Sequence, residues 1–467
     1  MQQTTTPTPS GARFRYVLAI LISGILLAAI TGVIVYRRSG LSVSAQVPMF
    51  VAPSNELGWK QDLHYMTAEI PRRHINAFHT LTRAQFDRVV SELDSAIPTL
   101  DKDQIVVGLM RITTMLGDGH TRIAIPPNFH SFPLEAYWFG NTLRVTKVAP
   151  QYRRALGTRV VQIEDTSIED AYKAIRTLIP QGENDLWVRR FSPLFLVCAE
   201  LLHGLRILPI ANRGRYMFED DTGNRFWVDL EPLPESQREA DELRWLSAAK
   251  IEPLYMQQPN KDVWFSYLEA NQTVFFKFNR APGYWDFYRF SQRLLEVMDH
   301  RPVRRLVIDL RHNQGGDFTK IRWLFLPKLV ERRYRRQCFA CPREINRPSH
   351  LYVVIGRETY SAGVMNALEL RDEASALLVG EPTGGRPNAY GEDRSFTLPN
   401  SHLVVSVSTR YYRLVQENTA SLLPDQEIDL SWPDFLVGRD PVLEWVLAQP
   451  EESVIPRRTP RGLAPGN

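Results

Sequence analysis

Two stretches of this 467-residue chain carry residue types and spacings suited to acyl transfer. One is Leu306-Val-Ile-Asp-Leu-Arg-His-Asn-Gln-Gly-Gly316, and the other is Leu351-Tyr-Val-Val-Ile-Gly-Arg-Glu-Thr-Tyr-Ser-Ala-Gly363. Acyl transfer needs a nucleophile, a base, a group that orients the base, and two donors for the oxyanion. Ser361 offers a hydroxyl in a turn whose neighbours, Ala362 and Gly363, are small enough to allow close approach. A helix starting behind it would supply N–H groups and a dipole favourable to negative charge. Gly315, Gly316 and Ala362 are the candidate oxyanion donors. The same residues also fit a plainer reading, in which Ser361 is a helix N-cap and Gly-Gly a simple turn. The combination, not any single residue, carries the chemical signal.

A base comes from farther away. Leu116-Gly-Asp-Gly-His-Thr-Arg-Ile-Ala124 holds two glycines and an aspartate in a tight turn that presents His120 just before a short strand. His74 and His79 lie in a loop without a third metal partner nearby and are assigned to packing or surface.

The elements that must position these residues follow from periodicity. From Glu56 to Gly117 apolar residues recur at helical spacing, with Asp103 as a candidate cap for the helix carrying Ile105, Leu109, Ile112 and Leu116. From Leu134 to Leu233 the elements are short, including strands at 143–148 and 157–163 and a hairpin around Thr222-Gly-Asn224. They read as a small α+β module inserted into a larger body. From Ile251 onward β-branched runs alternate with helical patterns, the layout of a parallel sheet with crossovers. In such sheets ligands sit at the carboxyl ends of the strands, where the Gly-Gly pair and Ser361 fall.

These motifs resemble the S41 serine peptidases, the family of the C-terminal processing and tricorn-type proteases. Asp309 to Gly316 matches Asp-Leu-Arg-x-Asn-x-Gly-Gly, Tyr360 to Gly363 matches Tyr-Ser-Ala-Gly, and Gly380 to Gly385 matches Gly-Glu-x-Thr-Gly-Gly. Gly117 to Thr121 stands upstream, as the family order requires, and the similarity runs from about Glu56 to Leu447. In the processing branch a lysine 25 residues after the serine is the base; here that position is Arg386, whose guanidinium stays protonated. The tricorn-like branch uses a histidine and a glutamate. The resemblance therefore implies Ser361 as nucleophile, His120 as base and then acid, Glu417 orienting the histidine, and Arg386 free to bind substrate. Glu392 and Asp393 are alternatives to Glu417. One departure is Gly119, where tricorn-type sites carry a serine; a relay to the glutamate would be direct, or run through Thr121 or water.

The resemblance also implies an α/β, S41-type catalytic core (251–448) with crossover helices, an N-terminal helical region (56–130) and an inserted PDZ-like module (131–233). A connector (234–250) joins module to core, and Gly157 to Ile168 is similar to one PDZ stretch. Trp138-Phe-Gly140 is a weak match to a carboxylate-binding loop. The expected activity is peptide hydrolysis without metal or cofactor, on a peptide or protein substrate. The rival readings are a non-catalytic peptide or ligand binder on the same scaffold, and an esterase-like hydrolase.

Composition bounds the rest. Hydrophobic residues make up 44% and charged residues 23%, ordinary for a chain with a real core, and a mixed net charge of +4 gives no case for nucleic acid. The basic run Arg332, Arg333, Arg335 and Arg336 lacks aromatic platforms and reads as a solvated helix end. Tyr16 to Tyr36 contains no charge and is long enough to span a bilayer, with Arg13 and Arg15 before it and Arg37 and Arg38 after it. An uncleaved single-pass anchor fits better than a signal peptide cut near Val43-Ser-Ala45, because the apolar stretch exceeds the usual signal core. The anchor and the family together favour an extracytoplasmic body. Residues 1–15 and 449–467 read as disordered tails and 37–55 as a linker. Cys338 and Cys341 form a C-x-x-C without two further zinc ligands, and Cys198 is alone.

Overall fold

Alternate residues of the strands after 270 divide between two cores, and that division builds the central layer. The computed structural model describes residues 48–180, 184–238, 243–334 and 350–450. The chain separates into residues 1–48 and 49–467, and the description below concerns the second unit. The expected span Tyr16–Tyr36 and the Cys338–Cys341 pair lie outside the described residues. Among the described residues no helix is long and apolar enough to cross a membrane.

Three N-terminal helices, α1 (Glu56–Arg73), α2 (Arg83–Ala96) and α3 (Lys102–Thr114), lead to the short strand β1 (Arg122–Ile123). Both α2 and α3 open with capping boxes, Thr82 with Gln85 and Asp101 with Gln104. The cap of α3 is therefore Asp101 and not Asp103. Asp103 sits inside the first turn, buried, and accepts from His203 Nδ1 at 2.8 Å.

The module follows. Its strands are β2 (His130–Ser131), β3 (Leu134–Phe139), β4 (Thr142–Val148), β5 (Arg159–Ile163), β6 (Thr166–Ser167), β7 (Gly214–Glu219), β8 (Arg225–Leu230), β9 (Leu233–Pro234) and β10 (Leu246–Ser247). Its main helices are α4 (Ile168–Arg176), α5 (Asp185–Phe195) and α6 (Ala199–Gly204). The sheet runs β10-β4-β5-β7-β8, with β3 beside β4 and β6 beside β5, all antiparallel. Strand β10 comes from the stretch expected to be a connector, because Leu246 and Ser247 pair with Val148 and Lys147. Trp138 to Gly140 is the end of β3 and its hairpin turn, with Trp138 Nε1 donating to Ser192 Oγ at 2.8 Å.

The region from 251 onward carries β11 (Val263–Leu268), β12 (Thr273–Phe278), α7 (Tyr284–His300), β13 (Arg305–Asp309), α8 (Leu326–Tyr334), β14 (His350–Ile355), α9 (Ala362–Ala374) and β15 (Leu377–Gly380). After these come β16 (Asn388–Thr397), β17 (Val404–Arg413), β18 (Gln426–Glu427) and α10 (Pro441–Ala448). The six-stranded sheet is ordered β11-β12-β13-β14-β15-β18 and is parallel apart from β11. Val274, Phe276, Phe278, Leu306, Ile308, Leu351 and Val353 face one core with α7 and α9. Phe275, Val307, Tyr352, Val354 and Val379 face the other, covered by Val442, Leu443 and Val446 of α10. Burial on both faces explains why these strands read as continuous apolar runs.

One helix departs from regular α geometry. The stretch after Phe318 starts as a π-helical turn at Lys320–Phe325, with Leu326 N–H bonding Ile321 O, before α8 begins. Pro327 lacks an N–H and crowds the preceding turn, so the ladder shifts register there instead of continuing.

Because β13 and β14 are parallel neighbours, the loops that follow them leave the same edge of the sheet. The separate sheet β1-β17-β16 is antiparallel, with Arg122 opposite Ser406 and Ile123 opposite Val405. It carries the loop before β1 to that edge.

Candidate active site

Ser361 is held by a chain of loop contacts. Beyond β14, Thr359 Oγ1 accepts from Gly356 N–H (3.0 Å) and donates to Leu310 O (2.9 Å). Tyr360 N–H donates to Asn313 O at 3.0 Å, stitching the serine loop to the Gly-Gly loop. Ser361 then adopts φ +51° and ψ −122°, a region that costs a non-glycine residue about 1–3 kcal/mol. It stands at the N-cap position of α9, yet its side chain makes no capping bond. The plain N-cap reading fails on this point.

The Gly-Gly loop packs against it. A Cβ on Gly315, which has φ +111°, would lie 2.8 Å from Ser361 Cβ and 3.2 Å from Ala362 N. Gly315 N–H itself donates to Asn313 Oδ1 at 2.9 Å, so this candidate donor is already engaged and points away from the cavity. Gly316 and Ala362 line the cavity beside Ser361. Among the described residues neither backbone N–H has a protein acceptor.

His120 reaches the serine from 241 positions upstream, with Nε2 at 3.2 Å from Ser361 Oγ. Its loop is anchored by Asp118, which accepts from His120 N–H (2.9 Å), His74 Nε2 (3.0 Å) and Thr121 Oγ1 (2.5 Å). His74 Nδ1 accepts from Asn76 N–H, so its Nε2 carries the proton given to Asp118. Burial alone would raise the Asp118 pKa, but these hydrogen bonds bring it down to about 2. His120 moves the other way from an ordinary histidine. Burial lowers its pKa, the Asp118 and Asp393 charges partly restore it, Arg122 lowers it further, and a hydrogen bond to the Tyr390 backbone raises it.

The expected third residue is elsewhere. Glu417 is exposed, and among the described residues its carboxylate has no hydrogen-bond partner; its backbone carbonyl accepts from Asn388 Nδ2. His120 Nδ1 instead faces Tyr360 OH at 2.8 Å. Thr121 Oγ1 is occupied by Asp118 and by Ser408 N–H, so no relay runs through it. Of the two alternatives, Glu392 accepts from Tyr412 OH and Arg410, while Asp393 lies near His120 only as a charge. Arg386 is half-buried and does not line the cavity. Tyr360 heads the Tyr-Ser-Ala-Gly match, but nothing in that match says that its hydroxyl meets His120.

The cavity over Ser361 measures about 760 Å³. Ile123, Ile125, Trp187, Phe191, Phe195 and Met365 give it an apolar wall, and Arg122, Asp317, Glu392 and Asp393 mark its polar rim. Asp101, Asp103 and His203 bring ligand atoms within 4.8 Å of one another, but Asp101 caps α3, Asp103 also pairs with Lys102, and none lines the cavity.

Residues 283–428, which hold the Gly-Gly loop, Ser361 and β16–β17, match the model of peptidase family S41. Over these residues the chain carries a domain of peptidase family S41. The S41 domain sits in a fold shared with solved structures of CPAF. Mature CPAF complexed with lactacystin covers 82% of this chain with 95% of its own at 11% identity and a TM-score of 0.55. Mature CPAF alone gives 82%, 94%, 10% and 0.54, and a CPAF point mutant gives 82%, 94%, 10% and 0.57. At these identities the likeness concerns the fold, which extends well beyond the S41 domain itself. No curated protein matches this chain by sequence.

Proposed function

We propose that this chain is a membrane-anchored serine peptidase that hydrolyses peptide bonds at Ser361. Ser361 Oγ attacks the peptide carbonyl as its proton passes to His120 Nε2, and the oxyanion forms between the Gly316 and Ala362 N–H groups. His120 then gives that proton to the leaving amine, and water repeats the sequence to release the acyl group. The single supporting observation is the 3.2 Å approach of His120 Nε2 to a serine hydroxyl that leaves its own helix uncapped. A ligand-holding scaffold would have no use for the strained backbone at Ser361, which speaks against the binder reading.

The apolar wall around Phe191, Phe195 and Met365 favours a substrate with a bulky apolar side chain next to the scissile bond. The charge-free stretch Tyr16–Tyr36 supports a single-pass anchor, with the body on the extracytoplasmic side. The module of residues 131–233 is proposed to take peptide by strand addition, in the manner of PDZ domains.

Ser361→Ala is expected to abolish both cleavage of a peptide library and labelling by a fluorophosphonate. Unchanged labelling in that variant overturns the proposal. Lactacystin, held by mature CPAF in its solved complex, serves as a second probe of the same hydroxyl.

A further inference from the structure

We propose that Tyr360 takes the place of the missing carboxylate, its phenol oxygen accepting the His120 Nδ1–H bond and so holding the imidazole in the tautomer that can deprotonate Ser361. The inference rests on the peptidase reading above and names a positioning residue for it.

The geometry is that of a clamp on one ring. Tyr360 Oη lies 2.8 Å from His120 Nδ1, and the phenol ring stacks on the imidazole with centroids 4.7 Å apart and planes 26° from parallel. The opposite face of Tyr360 stacks on Trp187 at 3.9 Å and 22°. Trp187 is itself fixed at the start of α5 by Asn184. The Asn184 Oδ1 accepts from Trp187 N–H, and the two hydrogens on its Nδ2 are shared among Thr383 O, Gly384 O, Ala420 O and Ser421 Oγ. The stack also bears on Gly385, to which the acyl-transfer scheme gives no role. A Cβ on Gly385 would meet Tyr360 Cα and Cδ2 at 3.0 Å, whereas one on Gly384 would first clash with Arg357 O and only then meet Trp187 Cε3 at 3.3 Å. Gly385 clears the space that Tyr360 occupies, and Gly384 lets the chain pass the Arg357 carbonyl beside Trp187.

A base must present a bare nitrogen to the serine. A neutral imidazole carries one proton, so if Nε2 is to accept from Ser361 Oγ, that proton sits on Nδ1 and needs an acceptor. Tyr360 Oη lies 2.8 Å from that nitrogen and Glu417 is exposed; the Tyr390 backbone is the other hydrogen-bond partner of the ring. During attack the Ser361 O–H bond breaks and Nε2–H forms, while Nδ1–H stays bonded to the phenol oxygen throughout. A phenol is neutral where a carboxylate is charged, so it orients the ring without adding a full charge beside it. The charged or titratable groups facing His120 are then Asp118 and Arg122 on its own loop and strand, and Asp393 from β16. Glu392 and Tyr412 stand farther along the cavity wall.

The test uses the full-length chain labelled with nitrogen-15 histidine, with His120→Gln to assign the ring. The expected wild-type spectrum near neutral pH places the proton on Nδ1. A ring protonated on Nε2 overturns the inference, and this readout needs no substrate, so it stands apart from the fate of Ser361→Ala. Tyr360→Phe keeps the stacked ring and removes one oxygen. It is expected to move the proton toward Nε2 and to lower kcat on the order of tenfold to a hundredfold with KM little changed. The acid limb of its pH profile should also move to lower pH. Wild-type kcat and an unmoved limb in a folded Tyr360→Phe would leave Tyr360 a packing residue and refute the proposal.

Discussion

The Ser361 hydroxyl points at His120 Nε2, 3.2 Å away, and turns its back on the helix that it heads. That orientation has a thermodynamic signature. Replacing an ordinary N-cap serine by alanine costs about 0.5–2 kcal/mol. No capping bond exists here, so Ser361→Ala should cost no more than about 0.5 kcal/mol while abolishing activity. Ser361→Gly should be more stable than wild type by about 1 kcal/mol, because glycine relieves the φ +51° strain. Urea denaturation measures both, and a clear loss of stability in Ser361→Ala would restore the capping role.

Gly315 faces the same serine from the neighbouring loop, and any side chain there pushes on it. Gly315→Ala places a Cβ 2.8 Å from Ser361 Cβ and forces a residue with φ +111° out of its conformation. A displacement of about 1 Å at a reacting atom costs roughly 10²-fold in rate. The expected outcome is a folded protein whose kcat/KM falls by about that factor. Activity within twofold of wild type would mean that the loop yields without moving Ser361.

Much of this arrangement is legible in the chain itself. The continuous apolar runs at 274–278 and 306–310 already mark strands buried on both faces, and strand-then-glycine breaks put Ser361 and Gly316 at one edge. His120 is found through its rigid glycine turn. What periodicity does not carry is the register of a separate sheet: Glu417 lies beyond β17, and only the pairing of β1 with β17 determines which side chain meets the imidazole. Tyr360 meets it because its loop is pinned to Asn313, a contact between residues 47 positions apart. The cap of α3 is a smaller miss of the same kind. Asp101 and Asp103 are both plausible caps by type, and Gln104 at the third position is what selects Asp101.

The pH dependence follows from the burial of His120. Burial holds its pKa below the ordinary value of about 6.5, and the nearby Asp118 and Asp393 charges only partly offset that. The base is active when neutral, so activity should hold through pH 6.5 on the way down and be lost as pH falls through the lowered pKa. Asp393→Asn removes one of the charges that raise it, so the acid limb should move lower still. The profile of kcat/KM against pH in both proteins decides this; a limb at or above about 6.5 would contradict the burial argument.

Beneath the site lies a buried ion pair that contributes to the acid dependence of the fold. Lys277 and Asp309 are opposite one another in the β12–β13 register, fully buried, with Nζ 3.0 Å from Oδ1. Arg311 Nε reaches the other oxygen at 2.9 Å, and Arg311 also grips Asp440, the cap of α10, through contacts of 3.1 and 2.9 Å. Burial alone would raise the Asp309 pKa, but Arg311 and Lys277 bring it to about 2. In the unfolded chain it returns to about 3.9, so the folded state gains stability that is present above that value and lost as pH falls toward 2. The gain is on the order of 2–3 kcal/mol. Asp309→Asn should lack this part of the acid dependence. Lys277→Met leaves the carboxylate with one fewer buried partner and should cost about 3 kcal/mol at neutral pH. Urea midpoints taken from pH 7 down to pH 2 test both, and a Lys277→Met variant as stable as wild type would show that Arg311 alone suffices to compensate Asp309.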